Sequence, residues 1–589
     1  MLNKTLDIES ILAAKFPKLS QKKSGQLTIK VIKALSHEEE INAFIEQNRH
    51  LRGFAFLDAV LRYFNFSYKT SAQAIERIPS QGRVVIIANH PIGSLDGLAL
   101  LKMVRSVRAD VRIVANDLLN TIQPLQSLFL GVDSFNKNRS HKTLFKNMRE
   151  ALQNDEALII FPAGEVSRIA ANGVRDAKWQ NGFIKLAQKT RSPILPIYID
   201  AQNSSLFYAL SALYKPLGTM MLVKEMFNKS HQQIEFYIGK PVPYKEYSQF
   251  DDLKALNKRF KKHLYRLPKE SKSAKKGKQE LFQCEQTIAH PVNSKALKKE
   301  LKKSQLLGTT QDHKAIYLFD NHDDSVVMQE IGRLRELTFR TVEEGTGEAS
   351  DVDAYDSRYR HLVLWDEEEL EIVGAYRLGI CADLTDNGNN FDALYTSTLF
   401  HLKEEMAGYL PYAIELGRSF VQPKYWGKRS LDYLWYGIGA YVAQNPHIRY
   451  LFGPVSLSDA YPQNAKELII EFYQRQFGSK QDLAKALRPV KISQTNQMIG
   501  ETLFSADYRH SYKKLNSLLE LDGVKVPPLF KQYAEVCDDK GCRFIDFSID
   551  PDFGNCIDAL ILVDLQKLTT KKRARYIDIN IEKIATSAA

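Results

Sequence analysis

Apolar residues along the first half of the chain come in short runs that end in turn residues and are separated by stretches of helical period. Val84–Ala88 (VVIIA) is a continuous β-like run; Asn89, His90, Pro91 and Gly93 follow, and a helical pattern opens at Asp96. Ala157–Phe161 (ALIIF) repeats this design and ends in Pro162, Ala163, Gly164 and Glu165. A helical segment over Gly182–Lys189 leads to a third run, Pro193–Asp200 (PILPIYID), the order expected of α/β units. Gln233–Tyr244 predicts a further strand. Phe250–Leu267 predicts an amphipathic helix whose stripe is Phe250, Leu253, Leu256, Phe260, Leu264 and Leu267. Asp251 and Asp252 open that helix and Lys261, Lys262 and Arg266 close it, as the helix dipole favours. Upstream, His37–Asn48 and Gly53–Phe64 read as helices.

The pattern restarts near residue 306. Strand-like runs at Ala315–Asp320, His361–Asp366, Glu371–Ile380, Tyr412–Val421 and Arg449–Leu457, with helices over Val327–Arg340 and Lys428–Gln444, predict a mixed sheet with helices on its faces. Between the halves, Leu267–Glu280 holds five lysines and almost no apolar residue, so it cannot bury a core. Ser294–Gln305 predicts a short basic helix, an ordinary solvated face or a surface that rests on anionic lipid. The expectation is an α/β protein of two domains, 1–267 and 306–589, joined by a basic linker over 268–305.

Composition narrows the partners. At 589 residues with 44% hydrophobic content, two cores are affordable. Lys and Arg exceed Asp and Glu by 81 to 69, a net charge of +12, which suits an anionic partner such as a membrane surface or an acidic carrier protein. No zinc-finger spacing or aromatic RNA-binding signature accompanies the charge, which argues against nucleic acid. Five cysteines without paired metal spacing predict a reducing compartment, no structural disulfide and no metal site. No run approaches the roughly 18 apolar residues of a membrane span, and the amino terminus lacks a signal-peptide core. The expected location is cytoplasmic, peripheral on the inner face of the cell membrane. Gly53–Tyr68, with four Phe and two Tyr beside Arg62 and Lys69, is either packed on the core or dips into a lipid interface.

His90 and Asp96 face each other across a tight turn. A carboxylate that fixes the tautomer of a histidine and stabilises its imidazolium lets that histidine take a proton from a hydroxyl; the plainer reading is a helix cap beside a loop histidine. Asn89-His90 with Asp96, Phe161-Pro162-Ala163-Gly164-Glu165 and Leu195-Pro196-Ile197 resemble the glycerolipid acyltransferase family over roughly residues 60 to 250. The resemblance implies that His90 is the base, Asp96 its partner, and the turn with Gly164 and Glu165 part of the acceptor site. Ala163 stands where that family has Glu, and Gly131–Arg139 matches its Gly-to-Arg block only loosely.

Arg333-Leu-Arg335 with Phe339, the acidic set Asp351, Asp353 and Asp356, Arg377 near the end of a strand, Glu415-Leu-Gly-Arg418, and Ile545–Leu565 resemble the ornithine N-acyltransferases, relatives of the acyl-homoserine lactone synthases within the N-acetyltransferase superfamily. Coverage is roughly 315 to 565. Acylating an amine at neutral pH requires removing a proton from an ammonium, so Glu415, Asp353 or Asp356 suits base work and cation recognition; the plainer account of Glu415 and Arg418 is a structural ion pair. No coenzyme A-type glycine-rich loop follows Glu415, which makes acyl carrier protein the expected donor, with no bound cofactor. Lys424, Lys428 and Arg429 are the candidate carrier contacts.

The two resemblances explain each other. N-acylation of an amino acid with a 3-hydroxyacyl group makes a lyso-lipid whose hydroxyl an O-acyltransferase can use. The chain therefore resembles fused ornithine lipid synthases, with glycine or lysine as alternative acceptors; the rival expectations are a lysophospholipid acyltransferase with a non-catalytic membrane-binding C-terminal domain, and a membrane-binding scaffold in which both folds survive without chemistry.

Overall fold

The computed structural model describes residues 37–114, 122–130, 137–170, 173–213, 222–272, 280–538 and 540–582. The chain divides into two compact units, Met1–His290 and Pro291–Ala589.

In the first unit the strands are β1 (Ser67–Lys69), β2 (Val84–Ala88), β3 (Val111–Val114), β4 (Phe129–Leu130), β5 (Ala157–Ile160), a hairpin of β6 (Arg168–Ala170) and β7 (Gly173–Arg175), β8 (Ile194–Asp200) and β9 (Gln233–Ile238). Seven of them form one sheet in the order β1-β9-β8-β2-β5-β3-β4. Its centre, β8-β2-β5-β3, is parallel. Parallel strands covered on both faces need no polar side, which is why β2 reads as unbroken VVIIA and is buried at every position. Val84, Ile86 and Ala88 pack with Phe56, Leu57, Leu95 and Leu98 on one face. Val85 and Ile87 pack with Phe183, Ile184, Leu256 and Phe260 on the other.

The helix Gly53–Tyr63 buries Phe56, Leu57 and Leu61, and Phe64 and Phe66 beyond it are buried too. Packing on the core therefore accounts for most of the aromatic segment. The expected helix over 250–267 is shorter, Leu253–Leu264, because Asp252 caps it by accepting the N–H groups of Lys254 and Ala255. Leu256, Phe260 and Leu264 are its buried stripe.

The stretch expected to be a basic linker, 268–305, contributes to both cores. Phe282 is buried against Phe260 in the first unit. Helix Ser294–Leu301 belongs to the second, where its Leu297 and Leu301 pack with Tyr317, Phe319 and Val327. Two leucines four residues apart dock one face of a helix however many lysines cover the other. Residues 273–279 lie outside the described ones.

The second unit holds β10 (Gln305–Thr309), β11 (Ala315–Asp320), β12 (Arg360–Asp366), β13 (Glu371–Ile380), β14 (Phe400–Leu402), β15 (Ala413–Val421), β16 (Tyr450–Leu457), β17 (Ala484–Ala486), β18 (Cys542–Asp550) and β19 (Cys556–Asp564). Eight of these form the sheet β10-β11-β12-β13-β15-β16-β19-β18. Only the β15–β16 pair is parallel, and it lasts from Ala413 to Glu415 before the two strands part. Gly453 sits at the fork with φ 147°, where an added Cβ would lie 2.1 Å from the Leu416 carbonyl oxygen. Helices Val326–Thr341 and Ser430–Gln444 cover the sheet as expected. Helices Gln463–Phe477, Gln494–Leu503 and Tyr508–Leu521 add a layer that the sequence reading did not assign. All five cysteines are unpaired thiols.

Candidate active sites

In the first unit, β2 and β5 are parallel neighbours, so the residues that follow them emerge side by side at the carboxyl edge of the sheet, where open α/β folds bind ligands. Asn89 is tied to β8: its side chain donates to the Ile199 carbonyl at 2.9 Å and accepts the Ile199 N–H at 2.7 Å. His90 comes next. Gly93 turns the chain at φ 125°, a conformation that L side chains avoid, and helix Ser94–Arg105 begins.

Asp96 is fully buried in the first turn of that helix and does two jobs. It accepts the N–H groups of Ile92 at 2.9 Å and Gly97 at 2.9 Å, and it faces His90 Nδ1 at 3.1 Å. The cap and the histidine partner are thus the same carboxylate. With Nδ1–H donated to Asp96, the Nε2 lone pair is the proton acceptor. Burial opposes the charged imidazolium, but Asp96, by attraction and hydrogen bond, and Asp176 outweigh it, so His90 titrates above its ordinary value.

The His90 ring stacks on Phe161 with centroids 4.0 Å apart, which brings the turn after β5 against the imidazole. Gly164 lies in that turn at φ 66° with open space where a Cβ would be. Glu165 is half-buried and pairs with Arg168 at 3.4 Å. The loosely matched Gly131–Arg139 block lies outside the described residues, apart from the backbone of the helix that begins at Lys137.

Sequence reasoning missed Asp176. This buried carboxylate accepts the His90 N–H at 3.2 Å, the Ser167 hydroxyl at 2.5 Å and the Trp179 indole N–H at 2.8 Å. Ser167 in turn donates its N–H to the His90 carbonyl at 2.7 Å. The loop after β5 therefore clamps the backbone of His90 from both sides.

In the second unit, Arg335, Asp353, Asp356, Arg377 and Arg418, the candidates for substrate binding, lie together. Arg335 donates to Asp356 at 2.8 Å, and Arg377 to Asp353 at 2.6 Å and Asp356 at 3.3 Å. Burial would raise the Asp356 carboxyl, but the two guanidinium groups hold it below the usual carboxylate range. Arg418 meets Asp351 at 3.3 Å and Asp353 at 3.5 Å, and it shares the Tyr395 ring with Arg377, each 4.9 Å from the centroid.

Glu415 makes no ion pair with Arg418 among the described residues. Its carboxylate is buried and accepts the Thr396 N–H at 2.7 Å, the Thr396 hydroxyl at 2.5 Å and the Tyr359 hydroxyl. Tyr359 also lies 5.2 Å below the Arg377 guanidinium, which links Glu415 to the arginine cluster. The three proposed carrier contacts fall outside this network. Lys424 is paired with Glu369 at 2.8 Å and Glu371 at 2.6 Å, Lys428 covers the Tyr425 ring, and Arg429 is exposed beside Asp432.

Comparison with known proteins bears on both units. An acyltransferase family model matches residues 10–274, and an acetyltransferase (GNAT) domain model matches residues 334–436. The glycine N(alpha)-acyltransferase of Phocaeicola vulgatus is 34% identical, over 49% of this chain and 92% of its own length. The lyso-glycine lipid O-acyltransferase of Bacteroides thetaiotaomicron is 30% identical, over 41% and 90%. This chain belongs to the aminolipid acyltransferases. The L-ornithine N(alpha)-acyltransferase of Brucella abortus is a more distant member at 25% identity, over 44% of this chain and 94% of its own length. As an aminolipid acyltransferase, the chain carries an N-terminal acyltransferase domain that contains the His90–Asp96 pair and a C-terminal GNAT-like domain that contains the arginine cluster.

Proposed function

We propose that this chain makes a two-chain aminolipid by two successive acyl transfers. In the first, the C-terminal unit moves a 3-hydroxyacyl group from acyl carrier protein to the amine of an amino acid. One proton of the ammonium goes to solvent; the second passes to Tyr359 as the tyrosine proton moves to Glu415, the C–N bond forms, the thioester C–S bond breaks, and Glu415 returns its proton through Tyr359 to the leaving thiolate. In the second, His90 takes the proton of the lyso-lipid hydroxyl, the new ester C–O bond forms as the second thioester opens, and the imidazolium returns its proton to the leaving thiolate. Asp96 holds His90 through both proton transfers of this second step, and the turn with Gly164 and Glu165 contributes to the lyso-lipid site.

The observation that carries this reading is the similarity of one chain to relatives named for each step. The His90–Asp96 contact at 3.1 Å supports chemistry over a scaffold role, because a scaffold has no use for a histidine held in one tautomer. Glycine is the favoured acceptor, since the relatives named for glycine or glycine lipid reach 34% identity and those named for ornithine 26%. Ornithine, the acceptor expected from sequence, is the second reading; buried carboxylates in the C-terminal unit favour it. A net charge of +12 suits a peripheral place on an anionic membrane and an acidic carrier, with Lys424, Lys428 and Arg429 as its contacts. Mass spectrometry of the lipids of a host that lacks aminolipids, with and without this chain, tests the reading: headgroup and both acyl chains appear in one product.

A further inference from the structure

The C-terminal unit holds a cavity of about 590 Å³ that belongs to neither candidate site. Its walls include Val442 near the end of helix Ser430–Gln444, Ile448 and Arg449 ahead of β16, and Arg573, Ile577 and Ile581 on the helical segment after β19. Tyr412, just ahead of β15, stands at its mouth. No residue of the arginine cluster lines it. Arg418 lies further along β15 than Tyr412 by roughly 20 Å of extended chain.

These walls are preformed. Ala574–Asp578 make a π-helical turn, a rare geometry often found at functional sites. The turn is pressed against helix Ser430–Gln444: an added Cβ at Gly439 would lie 2.0 Å from the Tyr576 carbonyl oxygen, and the Tyr576 hydroxyl donates to Asp432 at 2.8 Å. Ile577 is thereby held in a buried position, while Ile581 and Tyr412 are exposed and leave the cavity open to solvent. A cavity of this size, within the range of about 300–1,000 Å³ and with an apolar wall and few polar groups, suits a small molecule.

The charge in the wall has one sign. Arg449 and Arg573 line the cavity, and among the described residues no aspartate or glutamate does. Each arginine is half-exposed and holds a carboxylate outside the wall by one edge, Arg449 with Asp564 at 3.2 Å and Arg573 with Asp578 at 3.3 Å. Arg449 spends Nε and Nη2 on its partner and Arg573 spends Nε. Nη1 of Arg449 and both terminal nitrogens of Arg573 have no hydrogen-bond partner among the described residues. Half-exposed ion pairs are weak, and the planar guanidinium fork matches a carboxylate.

We infer that this cavity seats a long-chain carboxylate, with the chain against Val442, Ile448, Ile577 and Ile581 and the head at Arg449 and Arg573. The chemistry has two sources: the N-acyl amino acid made in the first step of the proposed function, and a free fatty acid. The seat does not depend on the proposed function; the first source does.

Palmitate that carries a diazirine in its chain, photolysed with the full chain and mapped by peptide mass spectrometry, should label residues 442–450 and 573–581. Arg573→Gln should weaken that labelling about 3- to 10-fold, the share of a partly screened charge-assisted hydrogen bond. Ile581→Glu, which puts a carboxylate in the wall at an exposed position, should weaken it at least as much. Hexadecanol, an equal chain without charge, should compete about 10-fold less well than palmitate. Competition by N-(3-hydroxypalmitoyl)glycine at about 10-fold lower concentration than palmitate assigns the seat to the first-step product, the reverse assigns it to free fatty acid, and equal competition assigns it to both. Labelling that misses both segments, or that neither variant weakens in a folded protein, overturns the seat. Hexadecanol that competes as well as palmitate overturns the carboxylate. A chain that acylates neither glycine nor ornithine overturns the proposed function instead, and the labelling result stands.

Discussion

Asp176 accepts the backbone N–H of His90 at 3.2 Å although 86 positions separate them. It therefore positions His90, the base of the proposed O-acylation, through its backbone, and the same carboxylate orders Ser167 and Trp179. In Asp176→Ala the N–H of His90 loses its acceptor and the loop after β5 loses its anchor. O-acylation should fall about 10- to 100-fold in kcat, the usual consequence of a catalytic group displaced by an ångström or so. Trp179 fluorescence should shift with it, because the indole loses its only acceptor among the described residues. An unchanged kcat would show that His90 is held well enough by Asp96.

The pH dependence of O-acylation should follow His90. Its titration lies above the ordinary 6.5 because Asp96 and Asp176 overcome the effect of burial. The base must be neutral to act, so the rate should rise with pH through that elevated value. Stability runs the other way: the contribution of a histidine with a raised pKa is complete below 6.5 and is lost as pH rises through the folded-state value. Asp96→Asn should move the rate profile to lower pH and depress its plateau. A plateau that falls with no movement of the profile would uncouple the pair.

His361 was not anticipated from sequence, and it sets an acid limit on the C-terminal unit. Its Nδ1 faces the Arg335 guanidinium at 3.3 Å, and its Nε2 faces the Asp356 carbonyl at 3.2 Å. One nitrogen accepts and the other donates, so no position remains for a second proton. Burial and Arg335 push His361 down to about 3 from 6.5. Between those values the unfolded chain binds a proton that the folded chain does not, so stability falls as pH falls, by about 1.4 kcal/mol per pH unit at full slope. Asp356, depressed by Arg335 and Arg377 against the effect of burial, adds a loss of its own only as pH nears and passes below its ordinary value of 3.8. Chemical denaturation from pH 7 to pH 4 measures the His361 loss. His361→Gln, which keeps one donor and one acceptor but does not titrate, should flatten the dependence.

The parts of the molecule that were legible in the sequence are those in which burial leaves a simple pattern. β2, β5 and β8 are unbroken apolar runs because both their faces are covered, and the His90–Asp96 contact is local enough to follow from one turn. Helix Gln463–Phe477 escaped because nine consecutive residues, Ala465–Tyr473, are buried, with Lys466, Glu467 and Glu471 among them; a helix enclosed on all sides shows no stripe. In the arginine cluster the residue types were legible but not their partners. Glu415 and Arg418 look like a pair at a distance of three residues, yet Arg418 adopts φ 47° where β15 and β16 part, and it turns to Asp351 and Asp353. Asp176 could not have been found, since it works through a backbone N–H that every residue has.

A protein with a net charge of +12 and no described helix long and apolar enough to cross a membrane should meet its lipid substrate at an anionic surface. Sedimentation with vesicles that contain anionic lipid should recover it, and raising the salt above roughly 0.5 M should release it, because the screening length falls to a few ångströms. Retention through salt and carbonate washes would contradict a peripheral attachment.

The two sites are best separated by the lipids they leave behind. His90→Ala removes the proton acceptor for the lyso-lipid hydroxyl and should cost about 10²- to 10⁴-fold in O-acylation, the usual worth of a positioned base. On the proposed function the amine chemistry belongs to the other unit, so cells with His90→Ala should accumulate the N-(3-hydroxyacyl) amino acid and little finished lipid. Glu415→Ala strips Thr396 and Tyr359 of a shared acceptor and should stop the first step, so that neither lyso nor finished lipid appears. Added lyso-lipid should then restore the final product, since His90 and Asp96 are intact. If His90→Ala also abolished the lyso-lipid in a protein with an unchanged melting profile, one composite site would have to perform both transfers, and the assignment of each step to its own unit would fail.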